Sequence, residues 1–117
     1  VTFVVEIRSG ELLQELTREL NTRGVEDASL TLIGGVDAFT ISNMAAGDAR
    51  KDIITKYDQP GELTGTGEWR DGRAHIHVTC GIEGDVARAG HLHAATIATY
   101  FVNVAVTVFE SQSTASA

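Results

Sequence analysis

Apolar and polar residues change their spacing twice along this chain, and each change marks an element. Val1 to Ile7 is rich in β-branched residues and reads as a strand. Leu12, Leu13, Leu16 and Leu20 then recur at helical spacing. The pattern predicts one amphipathic helix over about residues 10–22, with Ser9 as its N-cap and Glu11 in its first turn. Gly24 is placed to terminate it. From Ala28 onward the spacing is that of strands. Ala28 to Ile33 is one strand, which Gly34-Gly35 should break, and Val36 to Ile41 resumes. Lys51 to Tyr57 is a further strand, and Asp58 to Gly61 a turn around the only proline. Glu62–Trp69 and Arg73–Cys80 flank Asp71-Gly72, the dipeptide that favours a two-residue type I′ hairpin turn. Glu83-Gly-Asp85 is another turn. Val102, Val104, Val106 and Val108 alternate within a long strand expected over Ile97–Glu110.

One helix followed by many strands predicts an α+β fold, a mostly antiparallel sheet packed with one main N-terminal helix. The 117 residues make one domain, expected over 1–110, with a small polar stretch at 111–117 as a flexible C-terminal tail. Hydrophobic content of 43% is ordinary for a globular domain. No apolar run is long enough for a membrane helix, and no basic region precedes an apolar one as in a signal peptide, so a cytoplasmic location without membrane contact is expected. Cys80 is a lone cysteine and reads as a buried strand residue.

Charge narrows the functions. Nine basic residues face sixteen acidic ones, a net of −7. Affinity for nucleic acid comes from cations that neutralise phosphates. Here the densest basic group, Arg50-Lys51 with Lys56, is interrupted by Asp48, Asp52 and Asp58. Nucleic acid is therefore disfavoured as a partner. Gly65-Thr-Gly67 has no helix after it and is not a nucleotide loop.

All four histidines lie within residues 75–93, as His75-Ile-His77 and His91-Leu-His93. On a strand, residues two apart share a face, so each pair can present both imidazoles to one side. A two-residue turn at Asp71-Gly72 sets the hairpin register. Glu68 then stands opposite His75 and Thr66 opposite His77, while Trp69, Gly67, Ile76 and Val78 take the core face. Imidazole is the commonest metal ligand, and catalytic zinc takes three protein ligands with one position open. His75 and His77 supply two, and His91 or His93 the third. Glu68 can orient an imidazole, bind metal itself, or raise a histidine's pKa. A divalent metal, zinc by this chemistry, is the expected cofactor.

These residues also resemble a known family. The run from Gly61 to Val78, with Glu62-Leu63, Asp71-Gly72 and His75-Ile-His77, followed by Gly84 and by Ala89-Gly-His-Leu92, is similar to the plants-and-prokaryotes-conserved (PPC) domain. Glu6 to Glu11 and Leu32-Ile-Gly-Gly-Val36 extend the similarity to about residues 3–110. The resemblance, to the prokaryotic type in which the domain stands alone, implies a homotrimer and a metal site carried over as His75, His77 and His91. Plant members add an AT-hook and act on DNA, and no Arg-Gly-Arg-Pro hook occurs here. Ala89 stands where the family often has a second glycine, and His93-Ala94-Ala95 departs from its glycine-bearing continuation.

Three functions follow as expectations. The first is a metal-binding domain with a regulatory or interaction role, with the Ile97–Glu110 strand as an element of the trimer interface. The second is a small metal-assisted or acid–base enzyme acting on a small-molecule ligand at a subunit interface, with Glu68 and His93 as catalytic candidates. DNA binding ranks third.

Overall fold

A computed structural model describes residues 1–110; the tail expected at 111–117 lies outside the described residues. The elements are β1 (Thr2–Ile7), β2 (Gly10–Glu11), α1 (Leu12–Thr22), β3 (Ala28–Val36), β4 (Ala38–Ala45), β5 (Asp48–Tyr57), β6 (Gly61–Arg70), β7 (Arg73–Ile82), β8 (Val86–Ile97) and β9 (Val102–Val108). They form one antiparallel sheet in the order β1-β9-β3-β6-β7-β8-β4-β5, and the short β2 pairs with β8. This is the α+β architecture expected from the spacing of apolar residues.

The helix lies against one face of the sheet. Leu12, Leu16 and Leu20 are buried among Val5, Leu30, Trp69, Ile76, Leu92 and Val104. Trp69 is fully buried, and its indole N–H donates to the Val25 carbonyl at 2.9 Å, tying the segment after the helix to the core. Such a ring satisfies its one polar atom while contributing a large apolar area. Among the described residues no helix is long and apolar enough to cross a membrane.

The helix ends illustrate how local chemistry and packing divide the work. Gly24, with φ of 68°, closes the C-terminus as expected, with its N–H bonded to Asn21 and that of Val25 to Leu20. The N-cap is Glu11 rather than Ser9. Its carboxylate accepts from the N–H groups of Leu13 and Gln14 at 3.0 Å each, and also from Ala95 of β8 at 3.0 Å. A carboxylate long enough to reach both the helix and β8 outcompetes a serine hydroxyl that can serve only the helix.

Two strand boundaries differ from the sequence reading. Gly34-Gly35 does not break β3, which continues through both to Val36; the turn falls at Asp37. Close approach explains Gly34, since a Cβ there would lie 2.1 Å from the Phe101 carbonyl oxygen. The long strand expected over Ile97–Glu110 is two pieces. Ile97 ends β8, and Asp37 accepts from the N–H groups of Ala98 and Thr99 and from the Thr99 hydroxyl, which holds a bend before β9 begins. Those bonds keep the Asp37 carboxyl below its usual pKa, the Thr99 hydroxyl most of all. In the sheet β9 sits between β1 and β3, and Val102, Val104 and Val106 are fully buried against the helix side. Its alternation records a half-buried interior strand.

Candidate metal centre

The face of the sheet away from the helix carries the histidines. Asp71 and Gly72 both adopt positive φ, 54° and 72°, so the turn is the tight two-residue one, and the hairpin has the expected register. Arg70 pairs with Arg73, Glu68 with His75, and Thr66 with His77. The turn at Glu83–Asp85 folds β8 back along β7 and sets His91 directly opposite His77. Alternation does the rest: Ile76, Val78 and Leu92 are buried on the core side, which sends His75, His77 and His91 to the other.

The three imidazoles converge. One ring nitrogen from each of His75, His77 and His91 lies within 4.8 Å of the other two. Ring centroids are 5.0 Å apart for His75 and His77, 5.1 Å for His75 and His91, and 5.8 Å for His77 and His91. Three neutral nitrogen donors from two hydrogen-bonded strands suit a borderline-soft divalent cation. His91 is held below the usual histidine pKa, first by burial, then by the positive charge its neighbours His93, His75 and His77 would carry; Asp52 acts in the opposite sense. That shift favours the neutral imidazole, the form that binds metal.

His93 reaches a different position. Thr40 pairs with Ala94 and Ile41 with Leu92, so His93 is the extra residue of a β-bulge in β8. Bulges re-aim side chains, and here the ring turns toward β4, where its Nε2 shares a 2.7 Å hydrogen bond with the hydroxyl of Ser42. Ser42 is buried, at 3% exposure, and sits opposite His91. The ring of His93 remains 4.9 Å from that of His91. Glu68 lies across from His75, yet its carboxylate is 3.4 Å from Arg70 and forms a half-exposed ion pair with it. Of the five residues singled out from the sequence, three meet at one point and His93 and Glu68 flank them.

Ser42 and Asn43 escape any reading of the sequence. They follow an apolar strand without a motif, and only the pairing of β4 with β8 brings them to the site. Asn43 donates its amide to the Ala89 carbonyl at 2.8 Å and so fastens β4 to the strand that carries His91. Asp52 comes from β5, and an open groove of about 1050 Å³ runs beside the cluster, with His77, His91, Asp52, Asn43, Thr66 and Thr79 in its wall. Thr31, Thr66, His77, His91 and Ser42 form one continuous cross-strand row over five strands. No lysine or arginine lines this groove.

The sequence profile of the Plants and Prokaryotes Conserved (PCC) domain matches residues 1–110. The chain belongs to this family. No curated protein matches this chain. Solved structures similar to it include a metal-containing protein from Archaeoglobus fulgidus, 22% identical, with a TM-score of 0.80 over 97% of this chain and 82% of that one. A plant- and prokaryote-conserved (PPC) protein from Pyrococcus horikoshii is 19% identical, with a TM-score of 0.78 over 96% of this chain and 81% of that one. An acetolactate decarboxylase from Bacillus subtilis subspecies spizizenii is 14% identical, with a TM-score of 0.65 over 92% of this chain and 53% of that one. At these identities the likeness is one of fold. The PCC domain spans about half of the decarboxylase chain.

Proposed function

We propose that this PCC domain binds one divalent cation, zinc, on His75, His77 and His91, and that the loaded site serves a regulatory or interaction role. The observation that carries the reading is the convergence of three ring nitrogens within 4.8 Å on one face of the sheet. Position within the fold supports it further: β7 and β8 are interior strands of a continuous sheet, so the donors stand on rigid elements. The metal-containing protein of the same fold is consistent with it. The decisive measurement is elemental analysis of tag-free protein. About one zinc per chain is expected for the unaltered protein, and His75→Ala, His77→Ala and His91→Ala should each lose it, whereas His93→Ala retains it. A metal-free protein that fails to take up zinc, cobalt or nickel in titration removes the proposal.

A second reading is a small metal-assisted or acid–base enzyme. It is favoured by the number of donors: three rather than four, with His77 and His91 in the wall of an open groove, is the pattern of a site that keeps a position for a small molecule. When bound, the cation would supply Lewis-acid polarisation of an oxygen ligand. In that reading His93, steadied by Ser42, is the group placed to hold or move a proton beside the cluster, while Glu68 stands across the hairpin from His75 with its carboxylate on Arg70. Ligand-induced shifts in the visible spectrum of the cobalt-substituted protein separate the readings: a panel of small carboxylates and carbonyl compounds should perturb it only if the position is open. The net charge of −7 and a groove without lysine or arginine argue against DNA. Duplex binding that falls steeply with salt is the result that would restore it.

A further inference from the structure

The groove beside the histidines is floored by two parallel rows of side chains. The first is the row already described, Thr31, Thr66, His77, His91 and Ser42. The second lies two residues along the same strands: Ile33 pairs with Thr64, Thr64 with Thr79, and Thr79 with Ala89. Residues two apart on a strand share a face, so both rows look out on the side away from the helix. Hydroxyl groups of Thr31, Thr64, Thr66 and Thr79 therefore lead across the floor toward the imidazoles of His77 and His91. Each can donate or accept a hydrogen bond.

Asp52 bounds the groove on the β5 side. It pairs with Met44, and both line the groove. Ile54, two residues on, pairs with Ser42, which puts Asp52 on the same face of the sheet as the histidines. Its charge is felt at His91, where it favours the protonated ring. Asp52 supplies the one carboxylate of the groove wall, and among the described residues it takes part in no ion pair. The cations on its own face of β5 are placed elsewhere. Arg50 is held by Asp48 at 3.2 Å, Lys56 lies beyond Ile54, and neither lines the groove. A ligand that covers an unpaired carboxylate strips it of water, and only a cationic or hydrogen-bond-donating group offsets that loss. A second anion there meets like charge as well.

We infer that the groove takes a small amine rich in hydroxyl or carbonyl oxygen, an amino alcohol or amino sugar in chemical class, with Asp52 as the residue that selects it. One oxygen of the ligand sits at the histidine cluster, its other polar groups lie along the threonines, and its ammonium faces Asp52. Organic acids and phosphate esters whose charged end points away from the cluster are rejected, because that end meets a carboxylate and no lysine or arginine. The inference rests on the metal site proposed above and on its keeping a position open for a small molecule. It adds the class of molecule and the side chain that discriminates, neither of which follows from the three donors.

Hydroxamates that differ only at their far end test it. Each offers the same head to the cation and carries an ammonium, a hydroxyl or a carboxylate on an alkyl chain of about two to four carbons, a span that lies within the groove. Binding to the cobalt-loaded whole chain is read from the visible spectrum, and elemental analysis before and after shows that the metal stays in place. At the best chain length the ammonium compound should bind about tenfold more tightly than the carboxylate at low salt, with the hydroxyl compound between them. Salt should narrow the difference. Asp52→Asn should bring the ammonium compound level with the hydroxyl one, and Asp52→Lys should reverse the order. The hydroxyl compound should bind both variants as it binds the unaltered protein, which a merely structural role for Asp52 would not allow. Asp52 is exposed, and circular dichroism checks that the variants are folded. Metal-loaded protein that binds none of the compounds, ranks them alike at every length or prefers the carboxylate overturns the inference and leaves the metal site standing. So does a ranking that survives Asp52→Lys. A chain that takes up no metal fails earlier, at the elemental analysis, and removes the site together with the ligand inferred for it.

Discussion

Replacing Glu11 tests how far one side chain joins the helix to the strand that bears His91. Its carboxylate accepts three backbone N–H groups, from Leu13, Gln14 and Ala95, all at 3.0 Å. In Glu11→Ala the loss of an N-cap costs about 1 kcal/mol. The N–H of Ala95, a residue only 1% exposed, also loses its charged acceptor, at a further cost of roughly 1–3 kcal/mol. The sum is about 2–4 kcal/mol, a large share of the stability of a small domain. With an m-value of about 1.5 kcal/mol/M, the urea midpoint should fall by roughly 1–3 M. Glu11→Gln keeps one acceptor oxygen and should recover about half of the loss, whereas Ser9→Ala should change the midpoint by less than about 0.5 kcal/mol equivalent. Equilibrium urea unfolding followed by tryptophan fluorescence reads all three, because Trp69 is buried in the core. If Glu11→Ala unfolds within experimental error of the unaltered protein, or Ser9→Ala is the worse of the two, the capping argument is wrong.

Two further outcomes are expected. A methyl group at Gly67 would lie 2.2 Å from the His75 carbonyl oxygen and 2.8 Å from the Ile76 Cα, so Gly67→Ala must push β7 away between two of the proposed ligands. A loss of about 2–4 kcal/mol and weaker zinc uptake should follow, against a change within about 0.5 kcal/mol for Gly47→Ala, where nothing lies within 4 Å. In metal-free protein the lowered pKa of His91 means that the unfolded chain takes up this proton first. Its contribution is complete above the unfolded value of about 6.5 and is lost as pH falls through the folded one. Urea midpoints from about pH 5 to 7.5 in chelator should show this loss, and His91→Ala should flatten it; an equal slope in the variant rejects the assignment.

What could be read without coordinates was whatever depends on neighbours in sequence. The leucine stripe announced the helix, Asp71-Gly72 dictated the hairpin and with it the pairing of Glu68 with His75, and the two His-x-His pairs pointed to a cluster. Period and turn chemistry are local, so they survive in a bare sequence. Ser9 misled because the competing cap is chosen by a contact with Ala95, far along the chain. The break between Ile97 and Val102 was invisible because Asp37, also distant, holds it.

Long-range pairing decided the rest. Which of His91 and His93 joins His75 and His77 turns on a single extra residue in β8, and a bulge has no composition of its own. Ser42, Asn43 and Asp52 reach the site only because β4 and β5 extend the sheet beyond β8. A chain writes its periods residue by residue; which strands lie side by side is settled by the whole core at once, and so is the neighbourhood of every side chain on the open face.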